Sequence, residues 1–178
     1  MVEVMVAMAV GIIALASIAV VFQMQSKTLK REEMASEMRN TARLAMDRMT
    51  RELLMAGYDP SGNANAGIVS GPGLSPPSSV NFTLDHDGSG AISGDRENVT
   101  YAYDSTNLTI TRNAQVIARN ITGLSFTYYD SGNTATTTAS DVRRIEIELN
   151  ARSEGPLAST GYMTHTISTD VTPRNLAF

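Results

Sequence analysis

The sequence predicts an α+β fold, a long N-terminal helix laid against an antiparallel β-sheet head. Three observations carry this. Residues up to about Met55 are helical in character, apolar from Val4 to Phe22 and amphipathic from Met34 onward. A stretch dense in Gly and Pro follows. After Ser79 the apolar period drops from that of a helix to two, the period of a half-buried strand. The corresponding segments are 1–57 for the helix, 58–79 for the loop and 80–178 for the head. The head alone, about 100 residues, is long enough to enclose one core.

Val4–Phe22 contains no charged residue. As a helix it spans about 28 Å at ~1.5 Å per residue, close to the ~30 Å hydrocarbon core of a bilayer. The run is hydrophobic all round, so no single face is set aside for a soluble core. A cleaved signal peptide would carry basic residues before the run and a small-residue site after it. Here Gln23, Met24 and Gln25 follow. The expectation is a membrane-spanning first half, with the lipid bilayer as its first partner.

Glu3 stands at the edge of this run. A carboxylate inside the apolar edge of a membrane segment costs on the order of a few kcal/mol and marks function by default. Two readings follow. Glu3 sits in the headgroup layer as a flank, or it pairs with a cation of a neighbouring chain, most simply an α-amino group. Such a pair is strong only in low dielectric and with good geometry. Nine of the ten methionines lie at or before Met55. Met adapts to irregular gaps, which suits packing among several unlike helices. Met5, Met8, Val10, Ile12, Ile13 and Leu15 are the candidate helix-packing residues.

Further along, Met34, Met38, Ala42, Ala45, Met49 and Leu53 step by three and four, forming one stripe. Glu33, Glu37, Arg39, Arg43, Asp47, Arg48 and Arg51 take the other faces. The stripe is the expected cover for the sheet, and Gly57 with Pro60 the expected helix stop. Within the loop, Ile68 and Val69 are a candidate short strand or anchor. Val80-Phe82-Leu84, Val99-Tyr101-Tyr103, Leu108-Ile110, Leu124-Phe126-Tyr128 and Ile145-Ile147-Leu149 alternate with polar residues, and Val116-Ile117 and Met163–Val171 add two further strands. Asp104–Asn107 and Asn113-Ala114 read as tight turns. One apolar face per strand implies an antiparallel sheet covered on one side.

The chemical motifs are few. Asp85–Asp95 follows the first part of an EF-hand loop, with oxygens at Asp85, Asp87 and Ser89 and a glycine, Gly90, at the sharp turn. The twelfth place is Arg96 rather than Glu. The candidate Ca²⁺ ligands are Asp85, Asp87, Ser89, the Ala91 carbonyl, and Asp95 or Glu97 in place of the missing Glu. A plain Asp/Gly-rich turn explains the same residues. Calcium is thus a candidate, not a required cofactor. Four Asn-x-Thr tripeptides, at Asn81, Asn98, Asn107 and Asn120, fit strand and turn composition as well as glycan acceptors. Thr134–Ser140 is a polar low-complexity loop. His86 and His165 have no recognisable partners, and no nucleophile, phosphate-loop or zinc-protease motif occurs. An enzyme is not expected. There is no cysteine, and the net charge is −4 with no basic stripe, which leaves nucleic-acid binding without an electrostatic basis.

Met1-Val2-Glu3-Val4-Met5-Val6-Ala7-Met8-Ala9-Val10-Gly11 resembles the start of a mature type IV pilin or pseudopilin. In that family an N-methylated Phe leads and the Glu is fifth; here the Glu is third. Glu52–Tyr58, Asp95–Tyr101, Asn120–Tyr128, Val142–Ile147 and Pro173–Leu176 resemble segments of PilW-like minor pilins, so the resemblance covers nearly the whole chain. It implies the pilin fold, a structural role in a filament, and assembly through Glu3. It further implies other pilin subunits, an inner-membrane assembly platform and a prepilin peptidase as partners. Localisation would be the bacterial inner membrane, head outside the cytoplasm, and then an extracellular or periplasmic filament. Lys27, Lys30 and Arg31 alone suggest the opposite orientation; a processed basic leader would reconcile the two. The alternatives are a type II secretion pseudopilin or a major pilin and, from another class, a membrane-anchored binding module.

Overall fold

The computed structural model describes residues 1–69, 78–157 and 161–176. Helix α1 runs unbroken over Val2–Leu53, about 78 Å at ~1.5 Å per residue. It contains a single glycine, Gly11, and no proline, so nothing in it forces a kink. Only its second half is covered. Met38, Ala42, Ala45, Met46, Met49 and Leu53 are buried, the expected stripe with Met46 added and Met34 half-buried at its end.

Sequence placed the helix end at Gly57; α1 stops at Leu53, and residues 54–57 form a turn. The turn leads directly into the head, because the Gly57 amide donates to the Thr83 carbonyl. Gly57 has φ +78°, and a Cβ there would lie 2.6 Å from Leu176 Cδ2. The Pro173–Leu176 segment thus closes over the helix end, and the Arg174 amide donates to the Leu54 carbonyl.

The head contains β1 (Ser79–Thr83), β2 (Asn98–Asp104), β3 (Thr109–Arg112), β4 (Gln115–Arg119), β5 (Ile121–Tyr129), β6 (Arg144–Arg152) and β7 (Thr164–Val171). Each expected strand is present. They form two antiparallel sheets, ordered β1-β2-β3-β4 and β5-β6-β7, where alternation alone suggests one. The break falls at Asn120, whose φ of +60° cannot continue a strand. The register also shifts between Ile110 and Thr111 and between Ile121 and Gly123. Helix α1 packs against β4, β6 and β7, drawing on both sheets. Their inward residues, among them Phe82, Tyr101, Ile110, Ile145, Ile147 and Leu149, complete one core with the helix stripe.

Two loop expectations are placed as well. Ile68 bridges to Phe82 in antiparallel fashion and is buried, while Val69 faces out. Asn113 and Ala114 form a two-residue hairpin with φ of +48° and +66°, the type I′ geometry that matches strand twist. Of the Gly/Pro-rich loop, residues 70–77 lie outside the described residues.

Candidate functional site

The first candidate is the free half of α1. Every large apolar side chain from Val2 to Leu29 is at least 53% exposed, which includes Met5, Met8, Val10, Ile12, Ile13 and Leu15. Soluble monomers rarely leave so large a contiguous apolar surface open. The helix is long and apolar enough to cross a membrane, and the apolar window has none of its residues buried. Glu3 lies in its first turn, where a negative charge complements the helix dipole. Lys27 is the first cation after the run. Glu3 and Lys27 are separated by about 36 Å along the axis at ~1.5 Å per residue, a spacing longer than a ~30 Å hydrocarbon layer. A bilayer accommodates both in its interfaces. Glu3 meets low dielectric only when apolar neighbours surround it.

The second candidate is the acidic loop between β1 and β2. Asp85, Asp87 and Glu97 converge, their ligand-capable oxygens lying within 4.8 Å of one another. Asp95 is exposed and stands outside this group; of the two substitutes for the missing EF-hand Glu, the structure brings in Glu97. The Ser89 hydroxyl donates to the Ala91 carbonyl at 3.2 Å, so these two oxygens face each other.

Asp85 and Glu97 are buried, and neither forms an ion pair among the described residues. Both carboxylates are instead solvated by backbone amides, as burial of a charge requires. Asp85 accepts from the Ser89 and Gly90 amides, each at 3.0 Å. Glu97 accepts from the His86 and Asp87 amides through one oxygen and the Ser93 amide through the other. Hydrogen bonds from Ser89 hold the exposed Asp87 carboxyl below the usual carboxylate range.

Sequence reading did not find the clasp on this loop. Ser61 donates to Asp59 at 2.8 Å and also reaches Asp85 at 3.1 Å. Asp59 in turn accepts the Gly62, Ala64 and Asn65 amides. A turn just after the helix is therefore fixed to a loop 24 residues on, and no local pattern signals that contact.

No protein-family model matches this chain, and no curated protein matches it either. Its functional reading rests on residues and geometry.

The remaining motifs find structural roles. Asn81 donates to Asn98 Oδ1 and Thr100 Oγ1, each at 2.7 Å, across the β1–β2 pair. Asn107 donates to Asp104 in the β2–β3 turn, and these bonds lower the Asp104 pKa. His165 is half-buried on β7, an edge strand of the three-stranded sheet.

Proposed function

We propose that this chain is a structural subunit of a type IV pilus-like filament, of the PilW-like minor class that primes assembly or sits at the tip. The observation that supports this most is the division of α1. One half is sealed onto a folded head, and the other carries an apolar run of which nothing is buried. A rod built this way is stable in two surroundings, lipid and a bundle of like helices. The subunit waits in the inner membrane through Val4–Phe22 with its head outside the cytoplasm. It then leaves the bilayer to pack among other pilin subunits, where apolar neighbours take over from lipid.

Extraction moves Glu3 from an interface into low dielectric. It then requires a cation, and the α-amino group of an adjacent subunit is the nearest match. Met5, Met8, Val10, Ile12, Ile13 and Leu15 supply the contacts between helices. Calcium enters this proposal as an accessory of the Asp85–Glu97 loop, where it would stiffen the head.

Glu3→Ala, expressed beside wild-type chain, tests the reading. The variant is expected to insert into membranes normally and to be depleted several-fold from sheared filament fractions. Equal incorporation of the two chains would defeat the proposal. Abundance separates the close alternatives: a minor subunit is sparse in purified filaments, whereas a major pilin forms their bulk.

A further inference from the structure

We propose that the cleft between the end of α1 and the β1–β3 face of the head binds a carboxylate carried on an apolar body. The cleft encloses about 330 Å³. Arg51 comes from the last helical turn, Arg96 from the β1–β2 loop and Arg112 from β3. Glu52 is the one carboxylate among the lining residues, and Arg112 binds it at 2.8 Å. Three arginines and His86 therefore line the cleft with one carboxylate, in a chain whose net charge is −4. Arg51 Nε is committed to the Asp47 carbonyl. Arg96 is exposed and makes no hydrogen bond or ion pair among the described residues.

Between these cations the surface is apolar. Leu84 and Val99 are buried beneath it, and Met55, 41% exposed, supplies the open apolar surface. A hydrated inorganic anion would satisfy the guanidiniums and leave Met55 in water. A neutral apolar group would do the reverse. A planar carboxylate matches the fork of an arginine, and an attached aromatic or aliphatic group covers the exposed Met55 side chain. The acidic loop nearby does not compete, because Asp85 and Glu97 turn inward to backbone amides. This cleft is independent of the filament proposal, since none of its residues belongs to the exposed half of α1.

The probe is 4-fluorobenzoate, followed by fluorine NMR with full-length protein in lipid nanodiscs. Fluorobenzene and inorganic phosphate serve as the purely apolar and purely anionic controls. Binding of 4-fluorobenzoate is expected to saturate and to weaken at least fivefold in Arg96→Gln, a change at an exposed side chain without partners. Phosphate should not displace it at equal concentration. A short peptide ending in a free Phe carboxylate should compete and its amidated form should not, if the natural source is a polypeptide end; competition by neither assigns the cleft to a small acid. The proposal fails if Arg96→Gln binds 4-fluorobenzoate as well as wild type, if fluorobenzene binds equally, or if phosphate displaces the probe.

Discussion

Arg112 donates through Nε to Glu52 Oε2 at 2.8 Å, joining the β3 strand to the last turn of a helix that precedes it by 60 residues. The two side chains are 16% and 28% exposed. Arg48, one turn earlier, approaches the other Glu52 oxygen at 3.4 Å. The Tyr101 side chain is buried beside this group. The charged pair therefore seals a polar corner of the core.

Glu52→Gln is expected to destabilise the head by about 1–2 kcal/mol, less than a fully buried pair would cost, because solvent still reaches both groups. Arg112→Ala should cost at least as much, since it leaves Glu52 with the weaker Arg48 contact alone. Chemical denaturation followed by tyrosine fluorescence measures both. A change within a few tenths of a kcal/mol would mean that the pair adds nothing to docking of the helix.

Stability is expected to fall at alkaline pH. Burial raises the Tyr101 phenol, with the Glu52 carboxylate adding to it, and burial alone raises Tyr128. Unfolded phenols ionise near pH ~10. Below that pH both states keep the proton and the contribution is complete. Above it the unfolded state loses protons that the folded state retains, so stability drops as pH climbs through the folded values. At the acid end, Asp87 and Asp104 are lowered by hydrogen bonds from Ser89 and Asn107. Their contribution is present above pH ~3.9 and disappears as pH falls. Denaturation midpoints between pH 9 and 11 test the first limb, and Tyr128→Phe should flatten it.

Gly57→Ala is expected to destabilise by at least about 1–2 kcal/mol, the cost of a left-handed conformation with a Cβ. The same Cβ would strike Leu176 Cδ2 at 2.6 Å. Adding Leu176→Ala removes the overlap but not the backbone cost. The double variant should therefore remain less stable than Leu176→Ala alone. Equal melting temperatures for these two would refute the backbone argument.

Ala114→Gly should act in the opposite direction. Ala114 has φ +66° in the β3–β4 turn, where Gly is preferred and Ala is strained. A gain of up to about 1 kcal/mol is expected, since the relief outweighs the larger chain entropy of an unfolded Gly. Asn113, whose Oδ1 accepts the Thr100 amide at 2.7 Å, keeps the turn in register in both forms. Thermal unfolding of the two proteins decides the sign.

For the acidic loop, millimolar Ca²⁺ is expected to raise the melting temperature, by an amount set by free ion over Kd. Asp87→Ala should abolish the rise. Absence of both binding heat and thermal shift would leave the backbone amides around Asp85 and Glu97 as the whole account of the loop.

The sequence alone determined the helix, its two halves and nearly every strand. These follow from periodicity, which each segment carries by itself: Val4–Phe22 is apolar all round, Met38–Leu53 is apolar on one face, and Phe82 or Ile147 alternates with polar neighbours. Tertiary structure decided what depends on distant partners. Met46 joined the buried stripe. Asn120, in a left-handed conformation, divided what alternation suggests is one sheet. Glu97 rather than Asp95 joined Asp85 and Asp87, and Ser61 locked that loop to the turn after the helix. Leu176 fixed the helix end by filling the space over Gly57. Each of these contacts depends on where a separate segment comes to rest, and no local spacing encodes that position.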